Sequence, residues 1–228
     1  MSDIVTKNIE VSPYLYGKDE GAATGARTIG GPDDQNEITT RFEIYANADL
    51  TALRVFIDDE SVVGASIYAI LYESDTTAAN NLVYLDQSDD YAITAQDRGN
   101  WVDVPFFSPI SLFAGYVYEF GVGGYQHPTQ ESKLGMTANP ALYNGEHSLF
   151  DVTGVSTQSA GTPTWYYITS TPMVRMNFDP GSVGTYEIKN SQFNVYPNPT
   201  NGVFTIELDG NVKYDVTVNN ILGQTVYA

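Results

Sequence analysis

The sequence predicts an all-β protein built mainly as an antiparallel, jelly-roll-like β-sandwich. Three observations carry the prediction. Apolar and polar residues alternate with period two along most of the chain, Gly, Asn, Asp and Pro punctuate those stretches, and no stretch sustains a helical period. Strands that follow one another at such short spacing, without crossover helices, must pair antiparallel, and two stacked sheets are the most economical way to bury their apolar faces.

The strands are expected, in order, at Glu37 to Ala46, Leu50 to Asp58, Ala65 to Glu73, Leu82 to Asp86, Tyr91 to Thr94, Trp101 to Phe107, Tyr116 to Val122, Ser148 to Asp151, Thr164 to Thr169 and Pro172 to Phe178. Val, Ile, Tyr, Phe and Thr dominate them, as suits a pleated, half-buried surface. In the first, Phe42 and Ile44 share one face while Arg41, Glu43 and Tyr45 share the other. In Trp101 to Phe107, the residues Val102, Val104 and Phe106 form the inner face and leave Trp101 and Asp103 outside. Ala65 to Glu73 is apolar on both faces and reads as a central strand. Thr94 to Asp97 offers a single helical turn ahead of Gly99-Asn100. Before Glu37 the chain is Gly- and Ala-rich and reads as loop, with room for one strand. A break in composition at Phe178-Asp179-Pro180-Gly181-Ser182-Val183-Gly184 marks a linker, giving a main module over residues 1–187 and a tail over 188–228.

Composition narrows the function. The chain has 228 residues with 10 Lys+Arg against 28 Asp+Glu, a net charge of -18, and a pI near 4.1. Such a surface repels phosphate backbones and anionic headgroups, so neither nucleic acid nor membrane insertion is expected. A mean hydropathy of -0.21 fits a soluble globular protein. Zero cysteines exclude disulfides, thiolate zinc sites and a cysteine nucleophile, and two histidines, His127 and His147, are the available imidazoles. No Gly-x-Ser-x-Gly elbow and no His-Glu-x-x-His helix occurs, and the pairs His127 with Glu131 and Glu146 with His147 read as surface loop residues. No catalytic residue is assigned, no cofactor is expected, and the chain reads as a non-enzyme. Met1 to Asn8 lacks the basic and apolar regions of a signal peptide.

Two chemistries remain. Carbohydrate binding needs aromatic faces for sugar rings and polar side chains for hydroxyls; the candidate ligand residues are Trp101, Asp103, Tyr125, His127, Trp165, Tyr166 and Tyr167. A structural calcium needs clustered oxygen ligands; the candidates are Asp58, Asp59 and Glu60, with Asp86, Asp89 and Asp90, and a further acidic run spans Asp33-Asp34 to Glu37.

The tail reads as strand, tight turn, strand, turn, strand. Pro197 and Pro199 around Asn198 enforce an extended entry, Asn201-Gly202 turns the chain into the Phe204/Ile206/Leu208 alternation, and Leu222-Gly223-Gln224 turns it again before Val226. Tyr196-Pro197-Asn198-Pro199, Gly202, Phe204 and Ile206, followed by Leu222-Gly223-Gln224 and Val226, closely resemble the type A C-terminal sorting domain of the type IX (Por) secretion system of Bacteroidetes. The resemblance implies a small immunoglobulin-like β domain, here partial. The family's last block, a G-x-Y strand and a closing basic strand, has no counterpart before Ala228, so the chain is expected to be a fragment of a larger precursor.

The resemblance further implies a translocon and a sorting peptidase as partners, with cargo secreted or attached to the outer-membrane surface. The main module is similar to uncharacterised β-sandwich modules found before such tails, through segments such as Gly99-Asn100-Trp101-Val102 and Phe120-Gly121-Val122-Gly123-Gly124-Tyr125. It is expected to be a non-catalytic adhesin-like or carbohydrate-binding module with an extracellular glycan or surface ligand. The alternatives are an accessory domain of a larger secreted hydrolase and a structural or self-assembling surface protein.

Overall fold

A computed structural model describes residues 12–75, 77, 81–137, 147–152 and 163–182, together with four strands of the tail. The chain divides into two units, Met1–Gly184 and Thr185–Ala228. The first contains strands β1 (Leu15–Gly17), β2 (Gly25–Gly30), β3 (Asn36–Glu43), β4 (Ala48–Ile57), β5 (Ser66–Ser74), β6 (Leu82–Gln87), β7 (Tyr91–Ala92), β8 (Asn100–Leu112), β9 (Val117–Gly124), β10 (Ser132–Thr137), β11 (His147–Asp151), β12 (Thr164–Tyr167), β13 (Thr171–Pro172) and β14 (Val174–Asn177). No α-helix occurs among the described residues.

These strands form two seven-stranded antiparallel sheets. Sheet I runs β1-β14-β4-β10-β13, with β8 on β4 and β2 on β10, while sheet II runs β12-β11-β3-β9-β5-β6, with β7 on β5. Their inner faces make one core. Sheet I contributes Leu53, Val55 and Ile57 of β4, Val102, Val104 and Phe106 of β8, Leu134 and Met136 of β10, and Val174 and Met176 of β14. Sheet II contributes Ile38, Ile67, Ala69, Leu71, Phe120, Val122 and Leu149. The alternation along β8 is the one expected from its sequence, with Trp101 and Asp103 outside. β5 is buried through Ile67–Leu71 and lies between β9 and β6, as a strand apolar on both faces must.

Several expectations are corrected. The Gly-rich segment before Glu37 holds two strands: β1 pairs with β14 through Tyr16 and Met176, and β2 pairs with β10 through Arg27 and Leu134. The strand β10 was not predicted. Its apolar set is Leu134 and Met136, split by Gly135, and Phe56 lies across that glycine so closely that an added Cβ would meet Phe56 Cδ1 at 2.5 Å. β8 continues past Phe107 to Leu112, crossing Pro105 and Pro109, which an outer strand tolerates because a missing N–H there breaks no ladder on its free side. Pro172 to Phe178 splits into β13 and β14 around Met173. The turn at Thr94–Asp97 forms as expected, with Asp97 Oδ2 accepting the Thr94 N–H at 2.7 Å.

The outer face of sheet II carries a buried carboxylate. Glu37 alternates with the core residue Ile38 and is 5% exposed. Tyr68 and Tyr72, neighbours on the same face of β5, donate to it at 3.0 and 2.5 Å. The Tyr68 ring reaches it by crossing Gly123, where a side chain would collide with the ring. Glu119 lies nearby on β9, accepting from the Thr39 hydroxyl at 2.5 Å and facing the Arg41 guanidinium at 3.6 Å.

Burial pushes the Glu37 carboxyl above its ordinary value near 4.5, against the opposite pull of the two tyrosine hydrogen bonds. Both phenols are themselves driven up, by burial first and then by the carboxylate, so they remain donors. The unfolded chain releases the Glu37 proton at the ordinary value and the folded chain only above it, so this group makes stability fall as pH rises through that window. We expect Glu37→Gln to flatten that part of the profile. Urea midpoints from about pH 4 to 8 test this; an unchanged slope in the variant refutes it.

Candidate functional site

The residues expected to bind a ligand are dispersed, Trp101 and Asp103 on sheet I, Trp165, Tyr166 and Tyr167 on sheet II, and Tyr125 and His127 in the connection between β9 and β10. On the outer face of sheet I, Trp101 pairs across β4 with Phe56, their rings edge-to-face at 5.6 Å. The Arg175 guanidinium sits 4.4 Å over the Trp101 ring, a cation–π contact. Arg175 is fixed in turn by two hydrogen bonds to Asp19, each 2.8 Å. Asp103 accepts a bidentate pair from Arg54, at 2.8 and 2.7 Å, and a third hydrogen bond from the Asn177 amide at 3.1 Å. Trp101 therefore has a face under a guanidinium, and both Asp103 oxygens are engaged. The pair forms a brace across β4, β8 and β14.

Trp165 and Tyr167 alternate with Tyr166, so Trp165 and Tyr167 face outward on sheet II and Tyr166 packs against the core. Phe150 stacks on Trp165 at 4.6 Å with the rings 13° apart, and Tyr72 meets it edge-on at 5.8 Å. Tyr84 continues the row against Tyr72 at 6.1 Å. Tyr167, 75% exposed, is the accessible ring of the triplet. Tyr125 leans on Tyr68 at 5.1 Å and donates to Asp90 at 2.7 Å. Burial and the Asp90 hydrogen bond push its phenol up to about 12. His127 closes its own turn, Nδ1 accepting from the Thr129 and Gln130 N–H groups at 3.2 and 3.0 Å. His147 opens β11, while Glu146 lies outside the described residues.

The acidic residues weighed as calcium ligands are held locally. Asp58 Oδ1 accepts the Glu60 N–H at 3.0 Å, Glu60 pairs with Lys133 Nζ at 2.6 Å, and Arg98 donates to the Asp59 carbonyl at 2.7 Å. The three border a cleft of about 340 Å³ with Thr28 and Lys133. Asp86 accepts from the Gln87 N–H, Asp90 from Tyr125, and the Asp89 carbonyl from the Ser88 hydroxyl. Among the described residues no three carboxylate or imidazole groups are placed to hold a metal ion.

A further aromatic group, not singled out from the sequence, sits where two connections cross from one sheet to the other. Residues 44–47 join β3 to β4 and residues 113–116 join β8 to β9. Ile44 N–H donates to the Tyr116 carbonyl at 2.9 Å, Gly115 N–H to the Ile44 carbonyl at 2.7 Å, and Ala114 N–H to Asn47 Oδ1 at 2.8 Å. The Tyr118 hydroxyl accepts the Phe113 N–H at 3.1 Å, and Gly115 takes a φ of 84° that a side chain would resist. On this stapled frame Tyr45 is 80%, Phe113 52% and Tyr116 50% exposed. Phe113 and Tyr116 lie 6.3 Å apart.

In the second unit, β15 (Phe193–Tyr196) pairs antiparallel with β16 (Thr205–Leu208), and β17 (Val218–Asn219) with β18 (Thr225–Tyr227). Tyr196 faces Thr205 and Val195 faces Ile206 in register, and Val226 lies in β18. Pro197, Asn198, Pro199, Gly202, Phe204, Leu222, Gly223 and Gln224 lie outside the described residues.

A search among curated proteins finds no match to this chain. Residues 194–228 match the family model of the secretion system C-terminal sorting domain, over the stretch that carries both sequence blocks. No helix among the described residues is long and apolar enough to cross a membrane. The tail is thus a type IX sorting domain, and the protein is a substrate of that secretion machinery, secreted or attached to the outer-membrane surface.

Proposed function

We propose that the exported sandwich is a non-catalytic binding module of the adhesin-like or carbohydrate-binding kind. The observation that carries this reading is the concentration of exposed aromatic rings on a frame stapled by main-chain hydrogen bonds, because such rings gain little for the fold and present flat apolar surface to a ligand. The engagement of the deep carboxylates supports the same reading. Glu37 is tied to two tyrosines, Glu119 to Thr39 and Arg41, and Asp103 to Arg54 and Asn177. Each serves a neighbouring strand.

Two experiments test the reading. Fused to a fluorescent reporter, Phe193–Ala228 is expected to carry the reporter outside a cell with this secretion system; retention in the periplasm counts against the sorting role. The whole chain, screened against immobilised plant, algal and host glycans, is expected to bind saturably to a subset. A folded sample that binds none of them removes the carbohydrate-binding reading.

A further inference from the structure

Resting on that reading, we propose that the tip formed by residues 44–47 and 113–116 is the ligand site, and that it takes neutral glycans rather than anionic ones. Three features of the tip point there. First, Tyr45, Phe113 and Tyr116 are at least half exposed, and Tyr45 and Phe113 each follow a residue sealed into the core, Ile44 at 6% and Leu112 at 1% exposed. The rings stand outward because the backbone is anchored inward. A pyranose ring presents axial C–H groups that stack on such faces.

Second, the frame is pre-organised. The two connections are separated by 67 residues at the Ala114–Asn47 hydrogen bond, yet that bond and the two between Ile44 and residues 115–116 hold them together, while the Tyr118 hydroxyl fixes Phe113 within the second. A site already in its bound form avoids the ordering cost that weakens binding by mobile loops.

Third, the polar groups around the rings select by charge. Residues 43–49 read Glu-Ile-Tyr-Ala-Asn-Ala-Asp and residues 111–117 read Ser-Leu-Phe-Ala-Gly-Tyr-Val, with no lysine or arginine in either segment. Glu43 and Asp49 flank the tip, and Asp49 Oδ1 accepts from the Ser111 hydroxyl at 2.8 Å, leaving its other oxygen outside that bond. Carboxylates accept hydrogen bonds from sugar hydroxyls, but they repel uronate and sulfate groups, and the net charge of -18 adds long-range repulsion. The same lack of cations disfavours anionic lipid headgroups.

The test uses the whole chain in affinity electrophoresis through neutral polysaccharides (β-glucan, mannan, xylan) and anionic ones (alginate, polygalacturonate), with the melting temperature of every variant measured alongside. The wild type is expected to be retarded by one or more neutral polymers and by neither anionic one. Tyr45→Ala and Phe113→Ala should each weaken retention by about two- to tenfold, while Trp165→Ala leaves it unchanged. Tyr45→Leu and Phe113→Leu, which keep apolar bulk without the ring, replace any alanine variant that fails to fold. Retention that survives the tip substitutions overturns this inference and leaves the binding reading standing. Retention by the anionic polymers alone overturns the ligand class. Retention by no polymer overturns both. Binding to phosphatidylcholine vesicles that the tip substitutions abolish, with no glycan retained, assigns the tip to lipid instead.

Discussion

Everything in the sandwich depends on the dry contact between two pleated faces. The chain has no cysteine and, where described, no α-helix, so no cross-link or helical layer shares the burden. What remains is interdigitation of Leu53, Val55, Ile57, Val104 and Phe106 with Ile38, Ile67, Ala69, Leu71, Phe120 and Val122. Each of the larger of these side chains stabilises by roughly 1.5–3 kcal/mol on full burial, and the gain exists only if the register holds, since a slip of one residue turns a whole strand inside out. Once Val102, Val104 and Phe106 are committed inward, Trp101 and Asp103 have no choice but to face outward. The outer chemistry follows from the inner packing.

That outer chemistry has to accommodate a large excess of acid. With ten basic residues for twenty-eight acidic ones, most carboxylates cannot have a cation, and three of the described cations join segments distant in sequence. Arg54 holds Asp103 across the β4–β8 ladder, Arg175 holds Asp19 while covering Trp101, and Lys133 reaches Glu60. The Asp19 side chain is fully buried beside Arg175, so that pair satisfies a buried charge and fixes the guanidinium over the Trp101 ring. Glu37 is treated differently. Among the described residues no cation pairs with it, and two phenols donate to it instead, which avoids the larger cost of an unpartnered group in the sheet.

How much of this was legible depended on whether a feature is local in sequence. Alternation identified the inner faces of β8 and β3 and the two-sided burial of β5. It missed β2, where Gly25-Ala26-Arg27 is exposed and shows no apolar period, and β10, where Gly135 interrupts the pattern because Phe56 needs the space. Both strands exist through their pairing with each other, and no window of either sequence contains that information. Trp165 was singled out for its aromatic neighbours in the chain, yet the ring that stacks on it, Phe150, comes from another strand.

The same distinction separates the tail from the module before it. In the tail the sequence blocks are short and local: Val195-Tyr196 and Thr205-Ile206 pair antiparallel, and two prolines, which cannot donate to a ladder, with an Asn-Gly step fall in the sequence between. Each block of that signal is contiguous in sequence, so a family model can read it. The aromatic tip is written in two places, at 44–47 and 113–116, and becomes one surface only after β3, β4, β8 and β9 have paired across two sheets. Tyr45 taken alone is an outward residue at a strand end, and Tyr116 alone is the start of the next strand. Their proximity lies in the hydrogen bonds that join the connections, so the route out of the cell could be read from the sequence while the surface proposed to bind outside it required the fold.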